Sequence, residues 1–170
     1  IGPPGGELGD ERFPDVTVAQ LIRHQGGLPG SDTEGDPVFL PRRVADELDL
    51  DSPPDSADMT RYLLDHRLRY GPGTDTRYSN AGYVILGHVI EGVTGQSYQS
   101  YLETTVLPEP ADVGRARTDP ADREPREVDY HAPGTAPTAL DLDAEKDVPF
   151  PDGGFLVELL GAAGSHYSST

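Results

Sequence analysis

Apolar residues recur at helical spacing in five stretches of the chain and lose that rhythm between them. Residues 1–14 carry three prolines and four glycines and read as an irregular entry segment. The first helix is expected over Asp15 to His24, with Val18, Leu21 and Ile22 on one face. Thr17 caps it and Gln20 completes a capping box, before Gly26 and Gly27 supply left-handed positions that end it. Residues 29–57 are rich in Pro, Asp and Ser, with a weak helical pattern from Pro41 to Leu48. A further helix is expected from Ala57 to His66, capped by Ser56, with Met59, Tyr62 and Leu63 facing inward.

The strongest signal follows a turn at Tyr70 to Asn80 and predicts a helix from Ala81 to Val93. There Tyr83, Leu86, Ile90 and Val93 share one face, and Val84, Ile85 and Val89 widen it, so wide an apolar surface being expected to be buried. Gly82 and Gly87 lower helix propensity but permit close approach of a neighbour, and Gly95 closes the helix. A last helix is expected over Ser97 to Leu107, stopped by Pro108 and Pro110. From Ala111 to Pro151 periodicity fades, leaving one strand expected around Glu127 to Ala132 before the Pro133-Gly134 turn. Phe155 to Gly164 is apolar and then small, and Ser168-Ser169-Thr170 suits the cap of a following helix. The sum is a mainly α chain with a few short strands.

Composition narrows the function. In 170 residues, 30 acids against 13 bases give a formal charge of −17, which nucleic acid and anionic membrane surfaces repel. Arg supplies all the bases but Lys146. Adaptation to high salt and codon bias in a GC-rich genome both produce such a balance, and both stay open. Leu, Ile, Val and Phe are only about a fifth of the residues, so the core is modest. Zero cysteines exclude disulfides and a thiol nucleophile. No stretch is long and apolar enough for a transmembrane helix, while export and cytoplasmic residence both stay open.

Few constellations carry chemistry. Asn80, the chain's single asparagine, lies in Tyr78-Ser79-Asn80 at the mouth of the most apolar helix. The plain reading makes Asn80 or Ser79 a helix cap with Tyr78 packed beneath it. Asp141, Asp143, Glu145, Asp147 and Asp152 share some spacing with a calcium loop, but Lys146 occupies the position that needs Gly. His88 and Glu91 stand at helical i, i+3 spacing, which suits a contact along one face. Ser165-His166 has no evident acidic partner, and Gly71-Pro72-Gly73 is no phosphate loop. No metal site and no cofactor site is expected.

The surroundings of the triplet say more. Val16 to Pro29, ending His24-Gln25-Gly26-Gly27-Leu28-Pro29, resembles the helix and His-x-x-Gly-Leu-Pro turn of the serine β-lactamase-like hydrolases. These include class C β-lactamases, D-alanyl-D-alanine carboxypeptidases of the penicillin-binding type, D-aminopeptidases and esterases. Pro72-Gly73, Tyr78-Ser79-Asn80-Ala81-Gly82-Tyr83, Leu86-Gly87, Ile90-Glu91, Val93-Thr94-Gly95, Ser97-Tyr98 and Tyr101-Leu102 are similar in order and spacing to that family's central signature. Ala162 to Thr170 is similar to its later small-residue segment.

The resemblance implies an acyl-enzyme mechanism on an amide, lactam or ester, with a small-molecule or peptide substrate. In it a Ser-x-x-Lys provides the nucleophile, Tyr78 acts in proton transfer and Asn80 binds substrate. A serine hydroxyl attacks only once a neighbour takes its proton. An amide side chain can orient a substrate without a change of charge. This sequence departs from the family in one decisive way: it holds no Ser-x-x-Lys, and for the family's late Lys/His-x-Gly strand it holds neither a Lys-Thr-Gly nor a His-Thr-Gly. The resemblance therefore implies that residues 1–170 are an incomplete single domain, the helical middle part of an α/β β-lactamase and DD-peptidase-like fold, inactive alone. The alternative is a degenerate, non-catalytic binding module, and the plainest reading is an acidic structural domain with Tyr78 in its core.

Overall fold

The computed structural model describes residues 1–30, 35–107, 113–125 and 127–168. Among the described residues five α-helices carry the fold: α1 (Val18–Ile22), α2 (Pro41–Leu48), α3 (Ser56–Asp65), α4 (Asn80–Thr94) and α5 (Tyr98–Tyr101). Four short strands, β1 (Val113–Arg115), β2 (Thr135–Pro137), β3 (Asp147–Pro149) and β4 (His166–Ser168), form two antiparallel ribbons, β1 with β4 and β2 with β3. The chain is mainly helical, as its apolar rhythm predicts.

Caps explain where the helices begin. Thr17 accepts from the Gln20 amide and the Gln20 side chain accepts from the Thr17 amide, the reciprocal pair expected at α1. At α3 the cap is Asp55, not Ser56. Its carboxylate accepts from the amides of Ala57 and Asp58, and Asp58 reaches back to the Asp55 amide. Ser56 in that role would face Met59 three residues on, which has no oxygen to return the bond.

α4 is the axle of the molecule. Its Ala81 and Val84 sit in the main core with Val38, Val44, Met59, Tyr62, Leu63, Ala139, Leu156 and Leu159, and Ile85 packs against both this core and a smaller cluster of Leu21, Leu28 and Leu68. Gly87 allows close approach as expected: a Cβ there would lie 3.0 Å from Cβ of Ala162, in the 3₁₀ segment Val157–Ala163. The broad apolar face is only partly covered. The elements that meet α4 bury Ala81, Val84 and Gly87, leave Tyr83, Leu86, Val89 and Ile90 half-buried, and leave Val93 82% exposed.

Two further expectations change. The helix after Ser97 is α-helical only to Tyr101 and continues as a π-helix over Leu102–Val106, where Thr104 bonds the Ser100 carbonyl and β-branched Thr104, Thr105 and Val106 follow one another. The stops expected at Pro108 and Pro110 lie outside the described residues. Glu127 to Ala132 forms no strand. Its Glu127 instead accepts from the Arg117 amide and the Tyr130 hydroxyl, local bonds that compete with pairing. The actual strands have three residues each, too short for alternation to show, and two contain proline. Ser168 ends β4, and the remainder of the expected capping sequence, Ser169-Thr170, lies outside the described residues.

The entry segment is tied down by Asp10, which is buried and accepts from the Leu68 amide at 3.0 Å and from Arg12 Nε at 2.8 Å. Hydrogen bonds from the Arg12 guanidinium outweigh burial and hold the Asp10 carboxyl well below the usual carboxylate range. Because the folded value is depressed below the unfolded one of about 3.9, the stabilisation is complete above that pH and is lost as pH falls towards the folded value. Urea melts are expected to show Asp10→Asn destabilised at neutral pH and less sensitive than the unaltered protein to acid below about pH 4.

Candidate active site

The two residues of the Tyr-x-Asn triplet meet at the N-terminus of α4, on a platform built by the turn at residues 24–30. His24 adopts the left-handed conformation at φ 56°. Its carbonyl accepts from the Tyr70 hydroxyl at 2.9 Å and the Arg77 amide at 3.0 Å. The Arg69 amide donates to the Gly27 carbonyl and the Gly73 amide to the Gln25 carbonyl, so two segments far apart in sequence are laced together. Gly27 stands at φ 78°, and a Cβ there would lie 2.4 Å from the Tyr70 carbonyl oxygen. The His-x-x-Gly-Leu-Pro turn is thus a support, with Leu28 sent into the core and Pro29 presenting its carbonyl to Ser79.

Ser79 is the cap of α4. Its hydroxyl donates to the Pro29 carbonyl at 2.6 Å and accepts from the Gly82 amide at 3.3 Å, while its own amide donates to His24 Nδ1 at 3.3 Å. That last bond places the acceptor lone pair of the His24 ring on Nδ1. With Ser79 as cap, Asn80 is released from that role. Tyr78 does not pack beneath the helix: it is 55% exposed, so the structural-domain reading with Tyr78 in the core is wrong. Its ring lies 4.7 Å from the His24 ring, and its hydroxyl donates to Asn80 Oδ1 at 2.8 Å. Asn80 is only 8% exposed, and its backbone amide and Nδ2 both donate to Oδ2 of Asp36, at 3.1 and 2.9 Å.

Asp36 escapes the sequence reading. It lies in the Pro, Asp and Ser-rich stretch of residues 29–57, where Asp36-Pro37 carries a signal, a capping acid before a proline at a first helical position. Its Oδ1 accepts from the Val38 amide and caps the 3₁₀ turn Pro37–Phe39.

The other candidates lie elsewhere. His88 and Glu91 do pair, at 2.9 Å, and the second His88 nitrogen lies 3.0 Å from the Ser56 carbonyl. They line a cavity of about 140 Å³ with Arg115 and His166. His166 is turned by its two ring nitrogens to the Gly164 carbonyl and to Gln99, and burial lowers its pKa. Ser165 donates to the Gly161 carbonyl, so Ser165 and His166 do not act on each other. In the acidic stretch, Arg42 donates to the carbonyls of Thr138, Asp141 and Leu142, and Asp152 pairs with Arg123. Arg123 therefore occupies the carboxylate that a calcium loop would turn to its ion at its last position, and Asp147, at the position of the carbonyl ligand, lies in β3. Among the described residues no group of three or more His, Asp or Glu is gathered as a metal would require. Tyr130 is pushed up to about 12 by burial and the Glu127 carboxylate, which keeps it a phenol.

A family model described as Beta-lactamase matches residues 3–170. The chain belongs to the β-lactamase family. Over 92 residues, 54% of this chain, it is 30% identical to Protein flp of Staphylococcus aureus (strain COL), matching 16% of that protein. It is likewise 30% identical over 91 residues to a putative D-alanyl-D-alanine carboxypeptidase of Escherichia coli (strain K12), matching 54% of this chain and 19% of that protein. The solved D-amino acid amidase from Ochrobactrum anthropi SV3, complexed with D-phenylalanine, superposes with a TM-score of 0.55 at 20% identity, over 94% of this chain and 44% of the amidase. The chain thus spans less than a fifth of these curated relatives and under half of the amidase. As a β-lactamase family member it holds a mainly helical part of that fold. Among the described residues, no helix is long and apolar enough to cross a membrane.

Proposed function

We propose that residues 1–170 are the middle of one larger domain whose activity is acyl transfer to a serine. In this reading the nucleophile of a Ser-x-x-Lys and a late strand of Lys-Thr-Gly or His-Thr-Gly type come from outside these residues, since neither motif occurs within them. Tyr78 is the general base and acid. With its own hydroxyl proton passed to the lysine of the Ser-x-x-Lys, whose charge then holds the phenolate, it takes the proton of the attacking Oγ as the Oγ–C bond forms, and delivers it to the leaving nitrogen or oxygen as that bond to the carbonyl carbon breaks. Water repeats the cycle on the acyl-enzyme and frees the serine. Asn80 holds the substrate with the N–H and lone pair its internal bonds leave over. The observation that carries this reading is an exposed tyrosine whose hydroxyl is aimed by a buried, doubly anchored asparagine.

The substrate class is an amide, lactam or ester, simple or peptidic. Turnover of chromogenic lactam, D-amino-acid amide and nitrophenyl ester substrates tests this. The parent protein is expected to hydrolyse at least one of them, and residues 1–170 alone none. A parent sequence without a Ser-x-x-Lys would overturn the catalytic reading. It would favour a non-catalytic module that binds a peptide or partner beside Tyr78, a reading motivated by the absence of both motifs here.

The −17 charge belongs to solvent and habitat, not to the reaction. We propose adaptation to high salt, where ions screen repulsion among surface carboxylates. The melting temperature is expected to climb markedly between low and molar KCl. A melt that ignores salt would point to genome composition instead.

A further inference from the structure

We infer that Asp36 is the positioning residue of the site, acting through Asn80 to fix which edge of the amide faces Tyr78. The inference rests on the roles proposed above for Tyr78 and Asn80. Three N–H donors converge on this one buried side chain, the Val38 amide on Oδ1 and the amide and Nδ2 of Asn80 on Oδ2. That is the surrounding of a carboxylate, a group that only accepts. An amide turned the other way would set Asn80 Oδ1 against Asp36 Oδ2, two acceptors facing each other without a proton between them. The carboxylate therefore forbids the flip. With Nδ2 held on Asp36, Oδ1 has one direction left, towards the Tyr78 hydroxyl 2.8 Å away.

The geometry gives Asp36 a second hold on the same residue. Asn80 is the first residue of α4, where the backbone amide has no partner inside the helix, and Asp36 supplies one. Backbone and side chain of Asn80 are thereby gripped by a single oxygen. One amide proton and one lone pair of its side chain remain for a substrate, and their directions are set before any substrate arrives. Ser79 and Pro29 hold the backbone from the other side, so a merely structural Asp36 would be partly redundant.

The kinetic test is a double-mutant cycle in the parent protein. Asp36→Asn keeps the shape but lets the Asn80 amide face either way. It is expected to lower kcat about 10- to 100-fold, with a smaller change in KM and little change in melting temperature. In an Asn80→Ala background the same substitution is expected to have almost no further effect on kcat. Asn80→Ala lowering activity while Asp36→Asn leaves it unaltered, or the two effects simply multiplying, would overturn the inference. Tyr78→Phe and Asn80→Ala both leaving activity intact would instead sink the catalytic reading itself.

A measurement on the unaltered parent does not depend on Asp36→Asn folding. With asparagine-specific ¹⁵N labelling and assignment by loss of the signal in Asn80→Ala, one of the two Asn80 side-chain protons is expected to exchange far more slowly than its twin. Two protons exchanging alike, at the rate of a free amide, would contradict the clamp whatever the kinetics show.

Discussion

Tyr78→Phe in the parent protein is expected to lower kcat/KM by about 10²- to 10⁴-fold, the usual worth of a positioned acid–base group. The loss should appear mainly in kcat, because the phenol is asked to move a proton and not to hold the substrate. Folding should barely register the change. The ring is more than half exposed, and its hydroxyl makes one bond, to Asn80 Oδ1, whose loss costs about 1 kcal/mol. Steady-state hydrolysis of a chromogenic ester, with a thermal melt of the same sample, separates the two effects. Full activity in Tyr78→Phe would remove Tyr78 from the reaction. A collapse of melting temperature would make it a structural residue after all.

Gly30→Ala is expected to damage stability and site together. A Cβ at Gly30 would sit 1.8 Å from the Tyr78 carbonyl oxygen, 2.9 Å from its carbon and 3.2 Å from the Ser79 Cα, all backbone atoms that cannot swing aside. Two tethered strands of chain must part. Overpacking of this kind costs about 1–3 kcal/mol, and the separation moves Tyr78 away from Asn80. Gly92→Ala is the control: it lies in α4 with nothing within 4 Å, and there alanine is expected to stabilise by about 0.4–1 kcal/mol. Urea titration reads both. Gly30→Ala melting like the unaltered protein would show that the platform does not hold the tyrosine loop as closely as the distances require.

How much of this could be read from sequence depends on how far each interaction reaches along the chain. The Thr17 and Gln20 box lies within one turn, and the Gly95 stop follows its helix directly, so both are legible. Tyr78 and Asn80 are legible as a pair because a single residue separates them. Asp36 is not, since its partner lies 44 residues away across a stretch whose composition says only loop. The strand pairing of β1 with β4 is hidden for the same reason, with Arg115 opposite His166. α4 misleads in the opposite direction. Its apolar width is plain in the sequence, yet which part of that width is covered depends on elements brought in from residues 18–22, 56–65 and 157–163. The role of the family signature becomes plain once folded: His24, Gly27, Leu28 and Pro29 are a shelf for the Tyr78 loop.

The central claim is that this chain supplies the proton-transfer tyrosine to a serine nucleophile held elsewhere in its parent. The direct measurement is the intact mass of the parent protein after exposure to a serine-reactive acylating probe, run beside Tyr78→Phe. One covalent adduct per chain is expected, formed at a greatly reduced rate in the variant. A parent that stays unlabelled, or that labels at the same rate without the Tyr78 hydroxyl, would contradict it.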